Sequence, residues 1–222
     1  GWKDVLFLHW PIPAETLEDI IPNELELDLL DGQAWISLVL FKTEGTRPRL
    51  LPPIPFIHSY LELNTRTYVK YKDKAGIYFF SLDASKSLVV SLPRIGNFLP
   101  YMKARMHYGA SDVLFTFESI RTQENQPPET LELTYTVDLK SPLQKNARER
   151  WLTERYILWT KPKKHLYRLD IHHPEWVLFP ASVQITKNSM ASFTAGHIDE
   201  HVPIAHYCTF RKPIFYPPVM ES

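Results

Sequence analysis

The sequence predicts a mostly β domain, arranged as a barrel or a sandwich. Many short runs alternate apolar and polar residues, which is the period of a β-strand. Turn residues separate these runs at regular spacing, as in all-β folds, and 19 prolines against 7 glycines disfavour long helices. The 222 residues contain no linker, repeat or low-complexity segment, so we expect a single domain over residues 1–222.

The first part of the chain is predicted to contain strands around one short helix. Residues 3–10 have the pattern of a strand, and residues 13–22 have an apolar face of helical spacing that Pro22 limits. Residues 25–41 predict two strands joined by the turn Asp31-Gly32. Four prolines in residues 47–57 exclude regular structure there and predict an ordered loop or lid.

Residues 60–71, YLELNTRTYVKY, give the clearest strand pattern. One set of alternate residues is polar or aromatic throughout: Tyr60, Glu62, Asn64, Arg66, Tyr68 and Lys70. An acid, an amide and a guanidinium therefore share one face of this strand. The residues alone leave open whether this face is solvated or lines a site.

The remaining elements are predicted from the same alternation. They comprise a strand at 77–85, a helical turn or strand beginning near 101, a hairpin of 113–121 with 131–139, a short helix at 142–151, a second hairpin of 152–160 with 166–173, and short strands in the tail. In the second hairpin Glu154 and Tyr156 share one face, and Arg168, Asp170 and His172 share another. Exposed edge strands in the tail could pair between subunits, so a homo-oligomer stays open.

Composition and motifs exclude several classes of function. Lysine plus arginine equals aspartate plus glutamate at 25 each, which argues against nucleic acid and against a polybasic membrane surface. No apolar run reaches the length of a membrane span, and a cytoplasmic location is expected. No glycine-rich phosphate loop is present and no cofactor is expected. The pair His172-His173 lacks further ligands at metal-binding spacing, so no metal site is expected.

Lys103 is the lysine that the sequence sets apart from the turns. It lies among apolar residues in FLPYMKARM, with Arg105 nearby. Desolvation and a neighbouring cation both favour a neutral amine, which can attack a ketone and form an imine. The alternative is an ordinary surface lysine whose stem packs on aromatic side chains.

Several segments, in order along nearly the whole chain, share one family pattern: DVLFLHWPIPAETLEDIIPNELELD, ELNTRTYV, GIYFFSLDAS, LPYMKARM, LTERYILW and LYRLDIHHPEW. On these segments the chain resembles the YqjF-like family of uncharacterised bacterial proteins, within the acetoacetate decarboxylase-like superfamily. The resemblance implies a closed, largely antiparallel β-barrel with a few short peripheral helices and a small-molecule cavity inside.

The resemblance also implies roles for individual residues. Tyr60-Leu-Glu62 resembles the Y-x-E strand of the superfamily, so Glu62 would be the cavity acid and the polar face of its strand would point inward. LPYMK lies where the decarboxylases carry a Pro-Lys-Lys element with the imine-forming lysine. Here Tyr101 and Met102 occupy the lysine places, and Lys103 is displaced by one or two positions.

Three hypotheses follow for function, and the partner expected overall is a small anionic or carbonyl-containing molecule. The first is a decarboxylase-like enzyme acting on a small keto acid, with Lys103 as imine former, Glu62 as acid and base, and Arg66 as clamp for the carboxylate. The second is a non-catalytic binding barrel for a small anionic or aromatic ligand. Its ligand contacts would be Arg66, Asn64, Tyr68 and Tyr101. The third is an enzyme without an imine, in which Glu62 or Glu154 acts with His172.

Overall fold

The computed structural model describes residues 1–45, 59–86, 98–194, 196–198 and 201–221. Its elements in chain order are β1 (Trp2–Ile12), α1 (Glu15–Glu18), β2 (Glu26–Leu27), β3 (Ala34–Glu44), β4 (Ser59–Tyr71), β5 (Lys74–Ala84), β6 (Tyr101–Ala110), β7 (Leu114–Arg121), β8 (Thr130–Val137), α2 (Ala147–Thr153), β9 (Ile157–Thr160), β10 (Tyr167–His172), β11 (Phe179–Asn188), a 3₁₀ turn (Ser192–Thr194), β12 (Ile204–Arg211), β13 (Ile214–Phe215) and β14 (Val219–Met220). The proline-rich segment 47–57, predicted to be a loop or lid, falls outside the described residues.

The strands of the described residues form one 14-stranded sheet that closes on itself. Its order runs β13-β10-β9-β5-β6-β7-β8-β11-β12-β1-β3-β4-β2, and the additional pairing of β5 with β4 completes a ring. Most neighbours are antiparallel, whereas β5 pairs in parallel with β6 near one end and with β9 near the other. The prediction of a mainly β, largely antiparallel closed fold is confirmed.

An apolar core fills the inside of this ring. Alternate residues of β1 and β3, such as Leu8 and Leu38, belong to a buried cluster that also includes Leu63 of β4, Phe117 of β7 and Leu133 of β8. Side chains at alternate positions share one face of a strand, so these residues define the inner face of the ring. Within the described residues, no helix is both long enough and apolar enough to cross a membrane.

The outer face of β1, β3 and β4 is covered by a second layer. Tyr68 of β4 packs with Leu152 of α2 and Leu158 of β9. Phe7 of β1 packs with Trp176, in the segment between β10 and β11. These strands are therefore buried on both faces, which is why β3 reads as a nearly continuous apolar run.

The sequence predicted a helix followed by a strand near residue 150, but it placed the boundary between them too early. Helix α2 begins after Asn146, whose side chain accepts hydrogen bonds from the backbone N–H groups of Arg148 and Glu149. The Glu149 carboxylate in turn accepts a hydrogen bond from the Asn146 backbone N–H. This capping box fixes the helix start, and the helix then runs to Thr153. Strand β9 consequently begins at Ile157, not at residue 152 as the sequence predicted.

Candidate functional site

The polar row of β4 is buried. Glu62 is 5% exposed, Arg66 is 8% exposed, and Tyr60, Asn64 and Tyr68 are also buried. The row faces the second layer, whereas Leu63 and its alternate neighbours face the ring interior. The family resemblance led us to expect that these polar side chains point into the barrel, whereas they point outward to the second layer. They are buried all the same, because β4 is covered on both faces. We call Tyr60, Glu62, Asn64, Arg66 and Tyr68 the β4 row.

Glu62 is held among phenol groups at one end of the β4 row. Tyr101 of β6 donates a hydrogen bond from its hydroxyl to Glu62 Oε2 over 3.4 Å. Burial raises the pKa of Glu62 to about 7, and hydrogen bonds from Asn64, Tyr60 and Tyr101 limit that rise. Burial and the nearby Glu62 charge raise the pKa of Tyr101, so this phenol stays protonated. Glu62 is thus a carboxyl group that can exist in both forms near neutral pH.

Arg66, the fourth residue of the β4 row, has no counter-charge among the described residues. Within the described part of the chain, its Nε and Nη2 atoms have no hydrogen-bond partner, and no ion pair involves it. Its guanidinium carbon lies 5.7 Å from the ring centre of Phe7 and 5.9 Å from that of Tyr68. Burial lowers the pKa of Arg66, the neighbouring Tyr68 hydroxyl opposes this shift, and the charge of Arg155 adds to it, but an arginine side chain remains cationic.

A buried histidine, His9 of β1, lies near Arg66. His9 Nδ1 lies 2.7 Å from Ser37 Oγ, and Ser37 Oγ lies 2.7 Å from the Tyr68 hydroxyl. The Tyr68 hydroxyl donates to the backbone oxygen of Leu152 over 2.8 Å, which ties the network to α2. His9 Nε2 has no partner among the described residues. Burial, His206 and Arg66 together hold the pKa of His9 well below its usual value, so the imidazole is neutral.

Cross-strand register brings these side chains together. On β3, Ser37 is the partner of His9 on one side and of Arg66 on the other. His206 lies on β12, the strand next to β1, and its ring centre is 5.5 Å from that of His9. The sequence signal for His9 and Ser37 is only that each sits on the same alternate set as buried aromatic residues of its strand. The partners are non-local, so no short motif marks them.

Comparison with known proteins identifies the family. The family described as DUF2071, an uncharacterized conserved protein, matches residues 1–210. The chain belongs to the DUF2071 family. It is 39% identical over 217 residues to the uncharacterized protein YqjF of Bacillus subtilis strain 168, covering 97% of this chain and 89% of that protein.

Solved structures of other proteins share the fold of this DUF2071 chain. One is the enduracididine biosynthesis enzyme MppR complexed with pyruvate, with a TM-score of 0.64 and 9% identity, covering 99% of this chain and 88% of that one. Another is acetoacetate decarboxylase from Legionella pneumophila, with a TM-score of 0.59 and 14% identity, covering 99% and 85%. These likenesses confirm the predicted acetoacetate decarboxylase-like fold.

In the DUF2071 chain Lys103 lies on the outer face of the ring, which is also the face of the β4 row. Glu62 of β4, Ala84 of β5 and Lys103 of β6 are successive partners in register, which places all three side chains on one side of the sheet. The Lys103 side chain is exposed. The desolvation on which the lysine hypothesis depends is therefore absent from this arrangement.

The structure does not bring the other predicted residues to the β4 row. Glu154 caps the end of α2 and binds Lys145, while it also accepts a hydrogen bond from Tyr156. His172 is exposed on β10, opposite Ile214 of β13. Of the predicted site residues, Glu62, Asn64, Arg66, Tyr68 and Tyr101 lie together.

Among the described residues, no three histidine, cysteine, aspartate or glutamate side chains are placed to hold a metal ion.

Proposed function

We propose that this protein is an enzyme for small oxo acids, which binds the substrate carboxylate at Arg66 and moves a proton with Glu62. The observation that carries the proposal is the buried guanidinium of Arg66 without a carboxylate partner among the described residues. A charge removed from water is costly unless another charge and hydrogen bonds compensate it. A ligand carboxylate would supply both at once.

The unpartnered atoms of Arg66 fit a carboxylate in geometry as well as charge. Nε and Nη2 lie on the same edge of the guanidinium plane, and both lack hydrogen-bond acceptors. A carboxylate can accept from two such N–H groups in parallel, which fixes its orientation. Neutral His9 adds a further unpartnered ring nitrogen, Nε2, next to this cation. Asn64 Oδ1, also unpartnered, adds an acceptor.

Glu62 supplies the proton transfer in this proposal. Because its pKa is about 7, both the acid and the base are present near neutral pH, which is the condition for efficient general acid–base catalysis. As a base, Glu62 would take a proton from the carbon next to the substrate carbonyl and leave an enolate. As an acid, it would return a proton to that carbon. The Tyr101 hydroxyl, already directed at Glu62, would hydrogen bond to the same region.

The structural neighbours support the substrate class. MppR was solved with pyruvate, which is a 2-oxo acid, and the Legionella enzyme is an acetoacetate decarboxylase. Sequence identity to both is low, so they support a chemical class and not a substrate.

The test combines binding with proton exchange. Pyruvate and acetoacetate should raise the melting temperature, whereas acetone, which lacks the carboxylate, should not. Arg66→Met should abolish the effect, and Arg105→Met, at an exposed arginine of β6, should leave it unchanged. In heavy water, deuterium should enter pyruvate at the methyl carbon, as measured by mass spectrometry, and Glu62→Gln should stop it.

Two results would contradict the proposal. Stabilisation by acetone equal to that by pyruvate would remove Arg66 as the basis of recognition. Carboxylate binding that depends on Arg66, without any deuterium exchange or decarboxylation, would replace the enzyme with a non-catalytic binding protein.

A lysine imine is the second candidate, favoured by the register that aligns Lys103 with Glu62. In that reaction the Lys103 amine would condense with the substrate carbonyl and release water. Borohydride reduction in the presence of acetoacetate should then leave a stable adduct on Lys103. The adduct should vanish in Lys103→Met and persist in Lys74→Met, at an exposed lysine of β5. Exchange activity that survives in Lys103→Met would exclude the imine route.

A further inference from the structure

A cavity of about 300 Å³ lies on the side of β4 opposite the β4 row. Its wall includes Thr65, which alternates with Asn64 and Arg66 along the strand. Met102 of β6 also lines it, whereas Tyr101, one residue earlier, contacts Glu62 on the other side. The volume is at the lower end of that of small-molecule sites. Nothing in the proposed oxo acid chemistry uses this cavity.

One wall of the cavity is a buried ion cluster with an excess of negative charge. Arg121 donates to both carboxylate oxygens of Asp83, over 2.7 and 2.8 Å. The same guanidinium pairs with Glu129 over 2.6 Å, and Glu129 and Arg121 line the cavity. Among the described residues, two carboxylates against one guanidinium leave one uncompensated negative charge when all three groups are ionised. A cation in the cavity would balance that charge.

The wall of the cavity also contains a buried hydroxyl group, that of Thr65, without a hydrogen-bond partner among the described residues. Thr65 is 1% exposed, and its Oγ1 has no hydrogen-bond partner among the described residues. Buried hydroxyl groups are normally satisfied, so an orphaned one in a cavity wall indicates a missing donor or acceptor. This hydroxyl can accept a hydrogen bond from a ligand N–H group.

The remaining wall is aromatic. The rings of Phe80 and Phe193 have centres 4.6 Å apart and both line the cavity. Phe193 and Ile20 are also partly exposed to solvent at its rim. An apolar body in the cavity would cover these side chains and remove their surface from water.

We infer that this cavity binds a small primary amine with an aromatic body, in a second site separate from the β4 row. The ammonium group would lie against Glu129 and donate a hydrogen bond to Thr65 Oγ1. The aromatic ring of the ligand would pack on Phe80 and Phe193. Its ammonium group would gain further attraction if it also lay near the face of one of these rings. A carboxylate ligand is disfavoured because it would face Glu129.

Calorimetric titration with 2-phenylethylamine tests the inference. The amine should bind, whereas 2-phenylethanol should bind at least roughly tenfold more weakly because it lacks the charge. 3-Phenylpropionate should not bind. Thr65→Val should weaken amine binding roughly fivefold, the effect of one neutral hydrogen bond. Its melting temperature should stay equal or rise, because the substitution removes a buried hydroxyl that is unsatisfied without ligand.

Thr67→Val is the matched control. Thr67 lies two residues along β4 and donates from its hydroxyl to the backbone oxygen of Trp35 over 2.8 Å. Its substitution should lower the melting temperature and leave amine affinity unchanged. The opposite pattern, with affinity lost in Thr67→Val and kept in Thr65→Val, would overturn the inference. Equal binding of the amine and the alcohol, or no binding of the amine, would also overturn it.

Glu62→Gln separates this site from the proposed enzyme site. Amine affinity should persist in that variant whether or not the oxo acid proposal holds. Loss of amine binding in Glu62→Gln would show that the amine occupies the β4 row, and the inference would fail.

Discussion

Replacing Glu62 with glutamine should change how stability depends on pH. The pKa of Glu62 is about 7, against 4.5 for an unburied glutamate. A pKa difference of one corresponds to about 1.4 kcal/mol, so ionising Glu62 in the folded protein costs roughly 3 kcal/mol more than in the unfolded chain. The side chain is only 5% exposed, so solvent screening reduces this figure little.

The sign of the effect follows from which state keeps the proton. Below about pH 4 Glu62 is protonated in both states and adds no pH dependence. Between pH 4.5 and 7 the unfolded chain loses the proton while the folded protein keeps it, so stability falls as pH rises. Above that range Glu62 is ionised in both states and the full cost is present. The loss between about pH 5 and pH 8 is roughly 2 to 3 kcal/mol.

Urea unfolding of the wild type and Glu62→Gln at several pH values measures this directly. The difference in free energy of unfolding between the two proteins should favour the variant progressively as pH rises. The pKa values of buried His9 and His206 are lowered in the folded protein, so these histidines make stability rise as pH rises. Both proteins contain them, so their contributions cancel in the difference. Glu124→Gln, at an exposed loop residue, should show no such trend. A difference for Glu62→Gln that stays constant over this range, or falls, would refute a carboxyl group poised near neutrality.

Three further substitutions test the packing around the sites. Arg121→Met should cost about 3 to 5 kcal/mol of unfolding free energy, because two buried carboxylates lose their cation; a cost below about 1 kcal/mol would show that the cluster is not ionised. Asn146→Ala should cost about 1 kcal/mol through loss of the capping box at α2, and unchanged urea unfolding would contradict that geometry. Gly76→Ala should destabilise by about 1 to 3 kcal/mol, since its new Cβ would lie 2.7 Å from the Trp159 indole nitrogen; an unchanged melting temperature would contradict this close approach.

Alternation predicted the strands well because each strand of the ring has one face on the core. Residues 60–71 were predicted as a strand, and β4 spans Ser59–Tyr71. The turn at Asp31-Gly32 was also predicted, and both residues have positive φ, where glycine is favoured. The sequence could not separate a barrel from a sandwich without the family resemblance, because closure depends on pairings such as β1 with β12 and β5 with β6, which no short turn connects. Such long-range pairings leave no local signal.

The candidate site was predictable where it lies along one strand and not where it crosses strands. Glu62, Asn64 and Arg66 share a face by alternation alone. Their relation to His9 depends on the register of β1, β3 and β4, which the sequence does not encode in any short pattern. Glu154 was predicted to lie on a strand beside Tyr156, but the capping box extends α2 to Thr153 and leaves Glu154 at the helix end.

Burial on both faces lets β4 contribute residues to both proposed sites. A strand with one solvated face has only one side where desolvation can alter a charged group. In β4 the outer face holds Arg66, which has no counter-charge among the described residues, and a carboxyl of raised pKa at Glu62. The inner face holds an unsatisfied hydroxyl at Thr65 beside an anionic cluster. Among the described residues, a cation without a partner and an anionic cluster thus lie on opposite faces of one strand. In the two proposals an anion would bind on one face and a cation on the other.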